Sequence, residues 1–130
     1  AVLELLSFVD FEILCTTVFT TCTCPLFVDL QIISRYDIIL IQEIRDSGAD
    51  AINILLEKVN NFTENDSDNY EMVISGRLGR SVSKEQYAFF YRKNNATVKA
   101  NYTYDDKNDH FEREPFIVQF HIPSAGDNRI

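Results

Sequence analysis

Basic residues are scarce in this sequence of 130 residues, and the first of them is Arg35. Lysine and arginine together number 12, against 20 aspartates and glutamates, and the formal net charge is -8. A protein that binds nucleic acid through a broad basic face has the opposite balance. The composition therefore argues against that mode of binding and is compatible with contact through bound cations and a few local arginines or lysines.

Cysteine is also rare, and the three cysteines, Cys15, Cys22 and Cys24, all lie within the first 24 residues. An odd and clustered set provides no disulfide framework. Cys22 and Cys24 are one residue closer than the usual redox or zinc pair, and no histidine lies near them in the sequence. The cysteines therefore predict neither a disulfide-stabilised fold nor a zinc site.

The first 26 residues lack the features of a targeting or membrane segment. They contain no lysine or arginine, and Glu4, Asp10 and Glu12 interrupt their apolar stretches. A signal peptide has a basic start and an unbroken apolar core, and a membrane helix needs about 20 apolar residues. We interpret residues 1–26 as an atypical N-terminal segment, with foreign sequence as one explanation, followed by at most one domain.

From residue 27 onwards the pattern is that of a mixed α/β fold built around Ile38–Ile41. This apolar run is bracketed by charge on both sides and is typical of a strand that is buried on both faces. Glu43 lies two residues past the run. We therefore expect this carboxylate where the end of the strand opens to solvent or to a ligand.

Helical spacing of apolar residues predicts an amphipathic helix over residues 48–60, with Ser47 available as its N-cap. The residues with this spacing are Ile52, Leu55, Leu56 and Val59. A polar loop over 60–69 then precedes a predicted hairpin of strands at 70–75 and 87–91. Two further strands are predicted at 97–104, with one apolar face, and at 116–122, and a charged turn separates them.

Four Asn-x-Ser/Thr sequons occur between residues 61 and 103, in stretches that resemble loops. Their asparagines are Asn61, Asn65, Asn95 and Asn101. Each sequon alone is weak, because the pattern is common by chance. Together they favour glycosylation and a secreted or secretory-pathway protein, and action in the nucleus stays open.

Three stretches, in this order, carry a resemblance to a known family. They are SRYDIILIQEIRDS at 34–47, LGRSVSKEQY at 78–87 and FEREPF at 111–116. Over roughly residues 27–123 the chain resembles the deoxyribonuclease I family, and its gamma-type members more than the pancreatic form. The resemblance implies that 27–130 is the N-terminal half of a four-layer α/β/β/α sandwich, of the endonuclease/exonuclease/phosphatase type. This chain would supply one sheet and its helix layer.

The resemblance also implies an endonuclease that hydrolyses DNA phosphodiester bonds with Mg²⁺ and Ca²⁺ as cofactors. It assigns Glu43 as a ligand of the catalytic metal ion and Glu85 as the acid that orients a catalytic histidine. Such chemistry needs positive charge on the phosphate oxygens, a base and an acid, and carboxylates suit hard cations. We expect the two carboxylates within about 10 Å of each other. The alternative for both is a solvated carboxylate at the end of a strand.

Contacts with DNA are implied at Arg45, Arg80, Ser81, Ser83 and Arg113. Each arginine has an alternative as the partner of an acid, Arg113 most obviously with Glu114. Ser81 and Ser83 replace an asparagine that contacts phosphate and a tyrosine that stacks on deoxyribose in pancreatic-type enzymes. By analogy with base–aromatic stacking, the loss of that ring costs about 1–3 kcal/mol of contact.

Neither histidine matches the catalytic histidine of the family. His110 is expected in a loop, and His121 is expected to be a structural strand residue, because Phe120–Ser124 directly follows a motif of the preceding family strand. The catalytic histidine, an Asp-x-Asn motif and a closing Asp-His pair are expected beyond Ile130. Val9 stands where the family has an asparagine near the metal. The expectation is therefore an incomplete chain that is inactive alone.

Two other interpretations stay open. One is a non-catalytic scaffold protein that binds actin in the family manner, but Met72 and Gly76 replace the tyrosine and the acidic residue of that surface, which disfavours actin. A phosphatase or sphingomyelinase on the same fold would share Gln42-Glu43, although the motifs at 78–80 and 113–115 favour a nuclease. DNA is the expected partner, no membrane partner is expected, and the oligomeric state stays open.

Overall fold

The computed structural model describes residues 3–7, 25–48, 50–63, 69–80 and 82–123, with side chains described from Asp29 onwards. Two helices and six strands follow one another in the described part of the chain. They are β1 (Leu3–Ser7), α1 (Pro25–Ile33), β2 (Ile38–Ile44), α2 (Asp50–Phe62), β3 (Tyr70–Ile74), β4 (Gln86–Arg92), β5 (Thr97–Thr103) and β6 (Phe116–His121). Cys15, Cys22, Cys24 and Val9 lie outside the described residues.

The strands form two sheets. The first has the order β1-β2-β4-β3, with β1 parallel to β2 and the other neighbours antiparallel. The second is the antiparallel pair β5-β6. The predicted mixed α/β class and the β3-β4 hairpin are confirmed. The expectation that the chain supplies one sheet was wrong. Strand β6 pairs with β5, and its apolar residues therefore pack as part of a second sheet.

One face of the first sheet is covered by both helices. Phe90 and Ile39 are fully buried in this core, against Ile33 of α1 and Leu55 and Val59 of α2. The helical spacing seen in the sequence therefore does mark the buried side of α2. The helix itself begins and ends two residues later than predicted, at Asp50 and Phe62.

The opposite face of the first sheet packs against the second sheet. Phe89 and Tyr91 of β4 are buried there, and Phe120 of β6 meets both rings edge-on at centroid distances of 5.7 and 5.4 Å. Burial raises the pKa of Tyr91 to about 12, and its hydrogen bond to the Glu71 carboxylate (2.9 Å) acts in the same direction. The first sheet is thus a central layer between the helices and β5-β6.

The N-terminal end of β2 is closed by polar contacts. The Tyr70 hydroxyl lies 2.6 Å from the Tyr36 carbonyl oxygen and 3.0 Å from that of Ile33. Arg92 donates to the Ser34 carbonyl oxygen at 2.6 Å and places its guanidinium 4.8 Å from the centre of the Tyr70 ring. Side chains from β3 and β4 thus bind carbonyls of the last residue of α1 and of the turn that follows it.

Helix α2 is capped by Asp46, and the prediction of Ser47 as its N-cap was wrong. The Asp46 carboxylate accepts hydrogen bonds from the backbone N–H of Ala51 (2.8 Å) and of Gly48 (3.1 Å). These two bonds lower the pKa of Asp46. A carboxylate with two acceptor oxygens can bind both amides from before the turn, whereas a serine hydroxyl offers one oxygen.

The predicted one-sided burial of β5 holds only at its start. Val98 packs in the core between the sheets, but Ala100 and Tyr102 are exposed. The register shifts between Val98 and Ala100, and this irregularity breaks the simple alternation of faces. No helix in the described ranges is long and apolar enough to cross a membrane.

Candidate functional site

Strand β2 continues through Glu43, which was expected beyond its end. Ile41 pairs with Ala88, but the next pair is Ile44 with Gln86, so β2 carries one extra residue between these pairs. Glu43 lies in this bulge with a positive φ of 58°. Such a backbone conformation is uncommon for a residue with a Cβ, and bulges often redirect a side chain next to a functional site. The bulge, rather than the end of the strand, thus presents Glu43.

Glu85 lies directly before β4 and is fixed through its backbone. Its N–H and C=O both pair with Leu78, at 3.0 and 2.8 Å, which closes the loop that connects β3 to β4. Its side chain is only 11% exposed. A carboxylate at this depth needs charged or hydrogen-bonding partners to offset its loss of hydration.

Two arginines supply those partners. Arg113 donates from Nη2 to Glu85 Oε1 at 2.8 Å. Its Nε is 2.7 Å from Oε2, as an ion pair whose N–H is not aligned for a hydrogen bond. Arg45 Nε is 3.4 Å from the same Oε1. The pairing of Arg113 with Glu114 that the sequence suggested is therefore wrong, because Glu85 takes its guanidinium.

Arg45 also reaches Glu43, with 3.9 Å between its Nη2 and Glu43 Oε2. One guanidinium thus lies between the two carboxylates that the sequence analysis singled out. The structure brings together Glu43, Arg45, Glu85 and Arg113, in an arrangement of alternating charge. Arg45 is the most exposed of the four at 58%, so its guanidinium is the part of the group most open to an incoming anion.

The other predicted DNA contacts are not part of this group. Arg80 pairs with the loop before β6, with its Nε 2.6 Å from Asp109 Oδ1 and its Nη2 donating to the Phe111 carbonyl oxygen at 2.9 Å. The contacts of Arg80 therefore match the alternative in which this arginine pairs with an acid. Ser83 is exposed, and its carbonyl oxygen accepts from Arg113 at 3.3 Å. Ser81 lies outside the described residues.

A divalent ion would find one suitable ligand here. Among the described residues, no group of three or more carboxylate, histidine or cysteine side chains is arranged to hold a metal ion. Mg²⁺, however, is commonly bound through one or two carboxylates, with water and substrate phosphate as its other ligands. Glu43, whose side chain is 36% exposed, fits that mode of binding. Glu85 is already engaged with two arginines and fits it less well.

The histidines lie in the elements where the sequence placed them, His110 in the exposed loop and His121 at the end of β6. Two of the four sequons lie outside the loops in which they were expected. Asn61 is in the last turn of α2 and Asn101 is in β5. Asn95 is in a turn, where its side-chain amide donates to the Asp37 carboxylate at 2.8 Å. Asn65 lies outside the described residues.

Sequence reasoning missed Arg77. Its guanidinium donates to the carbonyl oxygens of Arg45 (3.2 Å), Asp46 (3.0 Å) and Lys84 (2.9 Å). Arg45 and Asp46 belong to the chain segment that carries Glu43, and Lys84 belongs to the segment that carries Glu85. Nothing in the local pattern signals such a role, because the contacts join residues far apart in the sequence.

The fold and the site define a mixed α/β protein in which two carboxylates and two arginines meet beside a bulge in the central sheet. Comparison with known proteins gives the family. Deoxyribonuclease gamma of Mus musculus is 46% identical over 98 residues, which are 72% of this chain and 31% of that protein. Deoxyribonuclease-1 of Sus scrofa is 46% identical over 101 residues, 74% of this chain and 34% of that protein.

Deoxyribonuclease-1-like 2 of Mus musculus is 42% identical over 100 residues, 77% of this chain and 35% of that protein. About three quarters of this chain therefore belongs to the deoxyribonuclease I family. The matched stretch spans about a third of the length of these relatives. The equal identities to the gamma and the Deoxyribonuclease-1 proteins do not separate the two branches. No family model matches the sequence.

Proposed function

We propose that this chain carries part of the active site of a divalent-metal-dependent endonuclease that hydrolyses DNA phosphodiester bonds. The observation that supports this most is the Arg45 guanidinium between the carboxylates of Glu43 and Glu85. The relatives named above are called deoxyribonucleases, which agrees with the proposal. Since the match spans about a third of their length, the activity of a whole protein is part of the proposal.

The four side chains have separate roles in this proposal. Glu43 would hold a divalent ion, which supplies positive charge to the non-bridging phosphate oxygens when it is bound. Arg45 would contact the phosphate, since an exposed guanidinium matches the geometry of phosphate oxygens. Glu85, fixed by Arg113, would accept a hydrogen bond from an imidazole and keep it oriented, as acids do in hydrolytic triads.

The remaining expectations belong to the same proposal. Arg80, Ser81, Ser83 and Arg113 would line the path of the DNA backbone, although Arg80 must then leave or share its contacts with the loop at 109–111. Mg²⁺ and Ca²⁺ are the proposed cofactors. The two sheets that face each other would be part of the four-layer sandwich, and the glycosylated, secreted state is proposed from the sequons.

The chemistry can be tested in a hybrid protein. Residues 27–123 of this chain replace the matching segment of Sus scrofa Deoxyribonuclease-1, and nicking of supercoiled plasmid is measured with Mg²⁺ and Ca²⁺. In that hybrid, Glu43→Gln is expected to slow nicking by about 100-fold or more while DNA affinity changes little, because a metal ligand acts mainly on the transition state. Arg45→Gln is expected to weaken DNA binding.

Glu57→Gln is the matched control, because Glu57 is an exposed carboxylate of α2 and its replacement removes the same charge. It should leave nicking unchanged. Nicking by the Glu43→Gln hybrid at the rate of the unsubstituted hybrid would contradict the proposed role of Glu43. A hybrid that folds and binds plasmid without nicking it in any metal would contradict the proposed function as a whole.

A further inference from the structure

The hydrogen-bond ladder that connects the two carboxylate segments ends within the site. Strands β2 and β4 pair regularly as far as Ile41 and Ala88, slip at the bulge and pair once more at Ile44 and Gln86. That is the last pair of this ladder. Arg45 directly follows the last residue of β2, and Glu85 directly precedes the first residue of β4.

Arg77 joins the two segments at this point. Its Nη1 donates to the carbonyl oxygens of Arg45 (3.2 Å) and Asp46 (3.0 Å), and its Nη2 donates to that of Lys84 (2.9 Å). Lys84 directly precedes Glu85, and Arg45 follows Glu43 by two residues. A single planar group therefore crosses the gap that the interrupted ladder leaves.

The chemistry of the side chain suits this task. A guanidinium presents five N–H donors in a rigid fork, so the directions of its hydrogen bonds are fixed relative to one another. A lysine ammonium has the same charge but sits on a flexible stem and holds no such fixed pattern. Of the three carbonyl hydrogen bonds, the one to Asp46 is partly buried and those to Arg45 and Lys84 are exposed, and one side chain makes all three.

We propose that Arg77 is a positioning residue, which sets the distance between the segment of Glu43 and Arg45 and the segment of Glu85. This inference rests on the proposed function only in assigning a purpose to those carboxylates. Without Arg77, the ends of β2 and β4 separate beyond the bulge. Arg45 then no longer spans the two carboxylates, and the ligand Glu43 loses its defined place.

The first test measures hydrogen exchange of the 130-residue chain by mass spectrometry, for Arg77→Gln, Arg77→Lys and a control, Lys99→Gln. Lys99 is exposed on β5, and its replacement removes the same unit of charge. Both Arg77 variants should exchange about tenfold faster in peptides that cover 43–46 and 84–86, the factor expected for the loss of one or two hydrogen bonds. Peptides at 34–38 and 90–94 should be unchanged.

The second test measures Mn²⁺ affinity by electron paramagnetic resonance, with Glu43→Gln as the reference for an absent ligand. The loss of the positive charge and the loss of positioning predict opposite changes in Mn²⁺ affinity. Removal of a positive charge near carboxylates strengthens their attraction for a cation. Loss of positioning weakens Mn²⁺ binding, and we expect about tenfold weaker binding in both Arg77→Gln and Arg77→Lys. Lys99→Gln should bind as the unsubstituted chain does.

Several outcomes would overturn the proposal for Arg77. They are unchanged exchange at 43–46 and 84–86, faster exchange at all peptides alike, absence of protection there in the unsubstituted chain, and full retention of Mn²⁺ affinity in Arg77→Lys. If the unsubstituted chain and Glu43→Gln bind Mn²⁺ equally, the proposed function fails instead. In that case the exchange results alone decide whether Arg77 sets the geometry of these segments.

Discussion

The two ends of strand β2 use the same kinds of side chain for different purposes. At its N-terminal end, Arg92 lies over the Tyr70 ring and donates to a carbonyl of the turn after α1. At its C-terminal end, Arg45 and Arg113 share the carboxylate of Glu85. The first arginine is 13% exposed and completes the fold, whereas Arg45 is 58% exposed and leaves charge accessible.

This difference shows how one strand can be both a structural centre and the support of a site. The contacts at the N-terminal end bind backbone carbonyls of the turn after α1, which are partly withdrawn from water. The contacts at the other end hold charged side chains against one another beside an irregular backbone. We therefore expect substitutions at the N-terminal end to change stability, and those at the exposed groups of the C-terminal end to change binding and chemistry.

The largest expected effect is at Tyr70, which is 2% exposed. Tyr70→Ala should lower the free energy of unfolding of the chain by about 3–5 kcal/mol, because it leaves a large cavity. Tyr70→Phe removes only the hydroxyl, which lies near two carbonyl oxygens, and should lower the free energy of unfolding by about 1–3 kcal/mol. Urea unfolding measures both. A Tyr70→Ala protein as stable as Glu43→Gln would remove the contrast between the two ends.

A smaller effect is expected when the arginines of Glu85 are replaced singly. Arg113→Ala should lower the free energy of unfolding by about 1–3 kcal/mol, because it takes one charged hydrogen bond and one ion pair from a carboxylate that is 11% exposed. Arg45→Ala should lower the free energy of unfolding by less than about 1 kcal/mol, because exposed ion pairs contribute little. The same urea experiment compares them. Equal losses would mean that burial does not distinguish the two arginines.

Helix α2 gives a prediction that depends on pH. Asp46→Ala should destabilise the chain by about 1 kcal/mol at neutral pH, whereas Ser47→Ala should have almost no effect. The pKa of Asp46 is lowered by folding, so its stabilising effect is present above the ordinary pKa and is lost as the pH falls through the lowered value. The two variants should therefore converge in stability in acid. A pH series of thermal unfolding checks this.

The smallest effect concerns Tyr91, whose pKa is raised to about 12. A raised pKa means that folding favours the neutral phenol, so the contribution to stability is present below the ordinary value of 10.0 and is lost as the pH rises towards 12. Ultraviolet absorbance at high pH should show a late tyrosine titration that is lost in Tyr91→Phe. Glu71→Gln should lower its pKa, since the neighbouring negative charge is removed. An unchanged titration would exclude Glu71 as a cause.

The structural features that the sequence could predict depend on local pattern. The apolar run and the helical spacing are properties of neighbouring residues. In the run, Ile38, Ile39 and Ile41 are buried and Leu40 is partly buried. In the helix, Ile52, Leu55 and Val59 are buried and Leu56 is partly buried. The candidate carboxylates came from motifs that resemble a family. Neither source contains the positive φ of Glu43 or the three carbonyls bound by Arg77, because both depend on how β2, β3 and β4 meet in space.

The order of strands in the first sheet has a consequence for synthesis of the chain. The central strand β2 lies between β1 and β4, but β4 is made only after α2 and β3. At roughly 5–20 residues per second, a few seconds separate the two strands on the ribosome. Among the described strands, β1 alone can pair with β2 during that interval. A parallel partner made early would thus shield an aggregation-prone apolar segment of the nascent chain until its antiparallel partner emerges.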